Sequence, residues 1–394
     1  MKITVPTIDF GTSKIVTMVA QSNGERCDIV GSGAVPYSGY LQDGWNNPDE
    51  IRDVIRTAID QAQKTGNCRI HELNVGVPGM FTRVIVKEVH VSLTGPDPHV
   101  TAQDVRACFK LAEESGGDRI IHSAPAWFRV DDGKKTLSPV GIKGRELSAM
   151  IALVTADKYF IDDITYRLRD MDIEPREFYS TVAGEATYAL SQDERDKTAM
   201  LIDIGYLCTD VMVMEGDALI FHKCLDIGGG HISADIAEQL NIPFPFVEEK
   251  IKQTYSFNST NQDETYVIPA TEDEPARTVR RDEVTPIIEA KVEEIAEAIN
   301  KALEEGGVKL GKWSNVYLTG GGLILNKGGK DFLAGKLHRI IREAQRTNNK
   351  MTSHVFSSAV GLTILVVTTQ VQQKAPEGGA KGLLSRAFRW LMGY

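Results

Sequence analysis

At 394 residues and a formal net charge of −10, the chain is long enough for more than one hydrophobic core and too acidic for broad nucleic-acid binding. Its composition is that of a soluble globular protein. The five cysteines, Cys27, Cys68, Cys108, Cys208 and Cys224, are scattered without a C-x-x-C pair; this argues against a disulfide framework or a zinc site and fits a reducing cytoplasm.

The chain runs straight into strand-like apolar sequence, so no signal peptide is expected. Residues 2–20 and 27–35 read as strands of one sheet. Within the first lies Ile8-Asp9-Phe10-Gly11-Thr12-Ser13-Lys14, followed by the apolar run 15–20. A carboxylate at a strand end can hold hydrated Mg2+ beside a polyphosphate. Glycine lets backbone N–H groups approach phosphate oxygens. Thr12 and Ser13 add hydroxyl donors, and Lys14 adds a cation. Residues 47–50 open a helix through Lys64, with Pro48 near its first turn. Residues 73–77 form a short strand ended by Pro78-Gly79.

The next stretch reads as a β-α-β-β-β-α module: a strand over 82–93, a helix over 101–115 started by Thr101 with Asp104 three residues on, strands over 119–130, 135–142 and 146–154, and a helix over 156–171. Residues 173–178 and 181–190 return as strand and helix. After a charged turn comes Leu201-Ile202-Asp203-Ile204-Gly205, continuing through Thr209-Asp210 into another apolar strand. This is a second copy of the early device: strand, acidic turn, strand. Either loop alone also reads as an ordinary hairpin turn. The pair suggests two similar halves closing on one nucleotide.

A strand over 219–227 leads into Gly228-Gly229-Gly230 and a helix over 231–240, a glycine turn feeding a helix N-terminus. Further helices are expected over 246–255 and 283–305, with a β region near 265–279. Val316-Tyr317-Leu318-Thr319-Gly320-Gly321-Gly322 reads as a buried strand ending in a turn that a base or ribose could approach closely. Helices over 331–346 and 356–367 follow. The apolar run 355–371 is interrupted by Ser357, Ser358, Thr363, Thr368, Thr369 and Gln370 and reads as a buried helix rather than a membrane span.

Residues 374–380, with Pro376, Gly378 and Gly379, read as a flexible linker. At about 100° per residue, Leu383, Leu384, Ala387, Phe388, Trp390, Leu391 and Met392 share one side of residues 381–394. Lys381, Ser385, Arg386 and Arg389 share the other. A bulky apolar face beside a basic one suits an anionic membrane surface; docking on the protein's own core is the competing reading. One such helix binds reversibly, so stable attachment calls for several tails together.

The ordered set comprises the D-x-G-T-S-K loop from Asp9, the inserted module, the second Asp-Ile-Gly loop from Asp203, Ile-Gly-Gly-Gly from Ile227, T-G-G-G from Thr319, A-V-G-L from Ala359 and the basic tail. It resembles the FtsA family of actin-like bacterial cell-division proteins over essentially the whole chain. The resemblance implies an α/β, actin-like (duplicated ribonuclease H-like) two-lobed ATPase fold with an inserted α/β subdomain and a C-terminal amphipathic helix. It implies ATP and Mg2+ in the cleft, self-association into a polymer, and tethering of the FtsZ ring to the membrane through the FtsZ C-terminal peptide. It also implies other divisome partners, no nucleic acid, and a peripheral place on the cytoplasmic face of the cell membrane at the division site.

Carried over by motif, the first phosphate loop falls on Asp9, Gly11, Thr12, Ser13 and Lys14, and the second on Asp203, Gly205, Thr209 and Asp210. Asp9 and Asp203 are the metal-side carboxylates. The Gly-Gly pair before a helix falls on Gly228 and Gly229, the acid and lysine at the nucleoside on Glu249 and Lys252, and the adenosine turn on Gly320, Gly321 and Gly322. Membrane binding falls on Leu383, Leu384, Arg386, Ala387, Phe388, Arg389, Trp390 and Leu391. The implied division is lobe I at 1–81 and 172–192, the inserted subdomain at 82–171, lobe II at 193–228 and 308–373, a partner-binding subdomain at 229–307, the linker at 374–380 and the tail at 381–394.

The chain departs from the family at the second loop, where Tyr206, Leu207 and Cys208 replace two glycines and a threonine. The acid that often orients water in actin-like ATPases is replaced near Thr181, with Glu185 one helical turn later. Nucleotide binding with slow or lost hydrolysis is therefore expected, and no catalytic residue is assigned. Two alternatives share the fold. An actin-like type IV pilus assembly protein does not typically rely on such a tail. A sugar or acetate kinase needs a catalytic base and a polar substrate pocket, for which no motif stands out.

Overall fold

The first two apolar runs form a hairpin: β1 (Ile3–Phe10) pairs antiparallel with β2 (Lys14–Ser22), Phe10 opposite Ile15. β3 (Cys27–Pro36) continues the antiparallel pairing. In the computed structural model, residues 3–373 are described apart from 25, 115, 118, 262, 271–274, 312–313 and 345–352. The linker and the amphipathic tail expected over 374–394 lie outside the described residues.

A small hairpin of β4 (Tyr40–Leu41) and β5 (Gly44–Trp45) leads to α1 (Ile51–Gly66) and β6 (Glu72–Val77). β7 (Thr82–Ser92), α2 (Ala102–Glu114), β8 (Ile120–Val130) and β9 (Glu146–Ala156) follow, then α3 (Lys158–Arg169), β10 (Glu174–Ser180) and α4 (Thr181–Ala189). Thr101 starts α2 as expected: its N–H and hydroxyl donate to Asp104 Oδ2 at 2.8 and 2.6 Å, the reciprocal capping arrangement.

α5 (Gln192–Arg195) precedes β11 (Ala199–Ile204), β12 (Thr209–Glu215) and β13 (Ala218–Leu225). α6 (Gly229–Gln239) and α7 (Phe244–Phe246) come next, α7 running into a π-helical turn, Val247–Lys252. β14 (Thr265–Ile268), β15 (Arg277–Arg280), α8 (Arg281–Glu305), β16 (Asn315–Thr319), α9 (Gly329–Leu337), β17 (Ile341–Glu343) and α10 (Ser357–Gln373) complete the described chain.

The first sheet has the order β10-β6-β1-β2-β3 and the second β17-β16-β11-β12-β13. In both, the two outer strands at one end pair parallel, β10 with β6 and β17 with β16. The same order built twice is a duplication, with β11 standing where β1 stands. The chain divides into two compact units: one holds the residues through Leu201, Met212–His222 and α10; the other holds Ile202–Val211 and Lys223–Ala344.

Alternation along the strands splits the first sheet's core between its faces. Ile8, Phe10, Ile15 and Val19 pack with Ile55 of α1 and Phe160 and Ile164 of α3. On the opposite face, Val5 and Ala20 pack with Leu362 and Val366 of α10. Thr7 and Thr363 hydroxyls meet at 2.8 Å, and Gln370 Nε2 donates to Asn74 Oδ1 at 3.1 Å. The stretch His354–Val371 is long and apolar enough to cross a membrane, yet 72% of it is buried inside the protein. It is a core helix.

Four expectations are corrected. Residues 135–142 form no strand: Pro139 lacks a donor and Gly141 has φ 89°, leaving one isolated bridge, Phe128 to Thr136. The inserted sheet is therefore three-stranded, β7-β9-β8. Its own core joins that sheet to α2, whereas α3, assigned to the module, packs on the first sheet. The helix expected over 331–346 ends at Leu337, because His338 turns left-handed at φ 52°, and β17 follows. Finally, residues 308–373 do not all belong to the second half: α10 returns to the first unit.

Candidate functional site

Asp9 is the penultimate residue of β1 and only 3% exposed. The turn after it is tight. Gly11 N–H donates to Lys14 O at 3.1 Å, and a Cβ on Gly11 would sit 3.2 Å from that oxygen. Tyr37 pins the turn from β3's end, its hydroxyl donating to Gly11 O at 2.7 Å and its N–H to Ser13 O at 3.2 Å. Thr12 is buried, while Ser13 and Lys14 are half-buried.

Two distant segments reach the Asp9 carboxylate. Ser358 Oγ, on α10, donates to Oδ2 at 2.7 Å. Thr181 Oγ1, at the start of α4, lies 3.5 Å from Oδ1. Burial raises the Asp9 pKa; the Ser358 hydrogen bond, the Lys14 charge and the Thr181 hydroxyl pull it back. Lys14 Nζ lies 5.3 Å from the centre of the Phe356 ring. Glu185 is buried in α4, where a Cβ on Gly361 of α10 would come within 2.5 Å of Glu185 Cα. The glycine of A-V-G-L thus lets the two helices touch backbone to backbone. Ser358 was not among the expected site residues, although it directly precedes that motif.

Asp203 is the penultimate residue of β11, the same place that Asp9 holds in β1. Around it three glycine segments interlock. Gly320 has φ 87°, and a Cβ there would meet Asp203 Oδ1 at 2.0 Å. A Cβ on Gly322 would meet Gly205 O at 2.4 Å, and one on Gly229 would meet Gly322 Cα at 2.4 Å. Gly322 N–H donates to Ile204 O at 2.7 Å. Gly321 is half-buried beside them.

This close packing uses up donors that the sequence assigned to phosphate. Gly228 N–H donates to His231 Nδ1 at 3.0 Å, Gly229 N–H to Gly205 O at 2.9 Å and Gly230 N–H to Tyr206 O at 2.7 Å. The first N–H groups of α6 are therefore engaged within the protein rather than presented as an anion cradle. Thr209 is fully buried, with its hydroxyl donating to Ile227 O at 2.7 Å. Gly228, Gly229 and Thr209 act here as packing and closure residues. Asp210 groups instead with Cys208 and Cys224, their ligand atoms all within 4.8 Å of one another.

Lys252 is buried at the end of the π-helical turn, with Nζ 3.1 Å from Glu248 Oε1 and 5.6 Å from the Tyr206 ring centre. Burial lowers its pKa, and Glu248 opposes that shift. Lys252 is thus paired with Glu248, while Glu249, the acid expected at the nucleoside, is exposed. A Mg2+-bound polyphosphate fits the first hairpin, where a buried carboxylate, hydroxyls and Lys14 converge. At the second hairpin, Asp203 and the glycine turn fit a nucleotide approached along the backbone. The N–H groups of Gly228 and Gly229 and the hydroxyl of Thr209 do not.

Two family models match the chain: Cell division protein FtsA over residues 200–361, and the SHS2 domain inserted in FtsA over residues 79–155. The chain belongs to the FtsA family. The inserted-domain match stops before α3, in line with that helix packing on the first sheet. Among relatives, the cell division protein FtsA of Pseudomonas aeruginosa is 26% identical, covering 80% of this chain and 76% of that protein. That of Neisseria meningitidis is 22% identical over 98% of this chain and 97% of its own length. Among solved structures, a chain of the PilM-PilN type IV pilus biogenesis complex gives a TM-score of 0.61 at 17% identity, covering 93% of this chain and 99% of that one. MreB5 of Spiroplasma citri bound to AMPPNP gives 0.56 at 10% identity, covering 94% and 99%. The fold is actin-like, and the chain is an actin-like cell-division protein.

Proposed function

We propose that this FtsA-family member binds ATP with Mg2+, self-associates and tethers the FtsZ ring to the cytoplasmic membrane. The observation that carries the reading is the sheet order built twice, with Asp9 and Asp203 at the same position in the two copies. Asp9, Thr12, Ser13 and Lys14 would hold the metal and phosphates on the first hairpin. Asp203, Gly205, Lys252 and the turn of Gly320, Gly321 and Gly322 would hold the nucleotide from the second. Mg2+, when bound, neutralises phosphate charge. Asp9 and Asp203 are the carboxylates offered to it.

Hydrolysis is slow or lost in this reading. Tyr206, Leu207 and Cys208 replace small residues, and the N–H groups at the start of α6 are engaged internally, so few donors remain to stabilise charge developing on a transferring phosphoryl group. The FtsZ C-terminal peptide is assigned to residues 229–307, and membrane attachment to residues 381–394. Attachment through a short tail is reversible, and polymerisation would strengthen it by presenting many tails at once.

Vesicle flotation tests the tether. Labelled FtsZ C-terminal peptide should float with anionic vesicles only when the full chain is present, and not with a chain ending at residue 380. Recruitment by the shortened chain, or none by the full one, would contradict the reading.

A further inference from the structure

We propose that Cys208, Asp210 and Cys224 form a zinc site on the second hairpin. Cys208 closes the loop immediately before β12, Asp210 is the second residue of β12, and Cys224 is the penultimate residue of β13. β12 and β13 are neighbours in the sheet. Cys208 and Asp210 flank Thr209 at the start of β12, and Cys224 lies near the end of the neighbouring β13. Their ligand atoms lie within 4.8 Å of one another. In a tetrahedral zinc centre, with Zn–S near 2.3 Å and Zn–O near 2.1 Å, neighbouring ligand atoms are about 3.5–3.8 Å apart. Closing the site therefore calls for side-chain rotation by about an ångström rather than movement of a strand.

The donor set selects the cation. Mg2+ and Ca2+ require six or more oxygen ligands, and here two of three donors are sulfur. Thiolates favour Zn2+ among the common divalent ions, and a carboxylate readily completes a third position. Binding displaces one proton from each thiol. With Asp210 ionised, Zn2+ and three anionic ligands leave a net charge of −1. The fourth position is open to water. The sequence argued against zinc because no two cysteines are close in the chain; the hairpin joins two that are distant. A bound ion would fasten Cys208 to β13 and so stiffen the turn carrying Tyr206 and Leu207. The site stands independently of nucleotide binding.

The test uses reduced, metal-free, full-length protein under anaerobic conditions, titrated with Co2+ as a spectroscopic substitute. One equivalent should produce intense visible d–d bands of tetrahedral cobalt and thiolate-to-cobalt charge transfer in the near ultraviolet. One equivalent of Zn2+ should bleach both. Cys224→Ser and Asp210→Asn should lose them, and Cys68→Ser should keep them. Weak octahedral bands alone, or full signals in Cys224→Ser, would overturn the site. Should Cys224→Ser fail to fold, alkylation of the wild-type protein decides the matter. Zn2+ should protect Cys208 and Cys224 from iodoacetamide, and equal labelling with and without Zn2+ would overturn the proposal.

Discussion

Ser358 Oγ donates to Asp9 Oδ2 at 2.7 Å, tying the last described helix to the end of the first strand. This bond partly offsets the burial of a carboxylate that is 3% exposed. It adds to the apolar packing of Leu362 and Val366 on Val5 and Ala20 that holds α10 on the first sheet, although nearly the whole second half of the fold intervenes in the chain.

Asp9 is predicted to trade stability for binding. Burial raises its pKa in the folded protein. Such a carboxyl adds stability below its unfolded pKa and loses it as pH rises through the folded pKa, so at neutral pH its charge is a cost until a cation meets it. Asp9→Asn should raise the melting temperature of the nucleotide-free protein by about 2–4 °C, roughly 1 kcal/mol. The same change should weaken Mg-ATP binding by about tenfold or more. Calorimetric scans with and without Mg-ATP check both; a destabilised variant would show that the Ser358 bond outweighs burial.

His122 on β8 gives the inserted module an acid-sensitive point. Burial pushes its imidazole down to about 4 from an ordinary 6.5. The unfolded chain therefore takes up this proton first, and stability falls as pH drops from about 6.5 toward 4. The loss should be about 1–2 kcal/mol, because the residue is half-buried and water screens part of the effect. His122→Gln should flatten this part of the profile in urea titrations run across that range. An unchanged slope would assign the acid sensitivity to other groups.

Gly320 is predicted to be intolerant of any side chain. Its φ of 87° disfavours L residues, and a Cβ would fall 2.0 Å from Asp203 Oδ1 and 2.3 Å from Ile204 O. Gly320→Ala should cost about 3 kcal/mol or more. Gly335→Ala, in α9 where a Cβ meets nothing within 4 Å, should be neutral or stabilise by about 0.5–1 kcal/mol. Denaturant midpoints of the pair check this, and equal midpoints would refute it.

Local sequence made much of the fold legible. Apolar runs on both sides of the Asp9 and Asp203 turns mark the two hairpins, and the capping pair Thr101 and Asp104 marks α2. What it hid were relationships across long separations. Nothing near Ser358 announces Asp9 as its partner, and nothing near Cys208 announces Cys224. The N–H groups of Gly228 and Gly229 read as an anion cradle because their acceptors, Gly205 O and the His231 ring, become visible only once the loops are packed. Glu248 pairs with Lys252 at the i,i+4 spacing that brings helical side chains together. The strand expected over 135–142 failed on Pro139 and Gly141, residues that weigh against a strand even without coordinates.

The most direct measurement is a calorimetric titration of the full chain with Mg-ATP, repeated on Asp9→Ala and Asp203→Ala. One nucleotide should bind per chain, with an affinity at least about tenfold weaker in each variant. Two independent equivalents of which each variant abolishes one, or no binding by the unaltered chain, would contradict this.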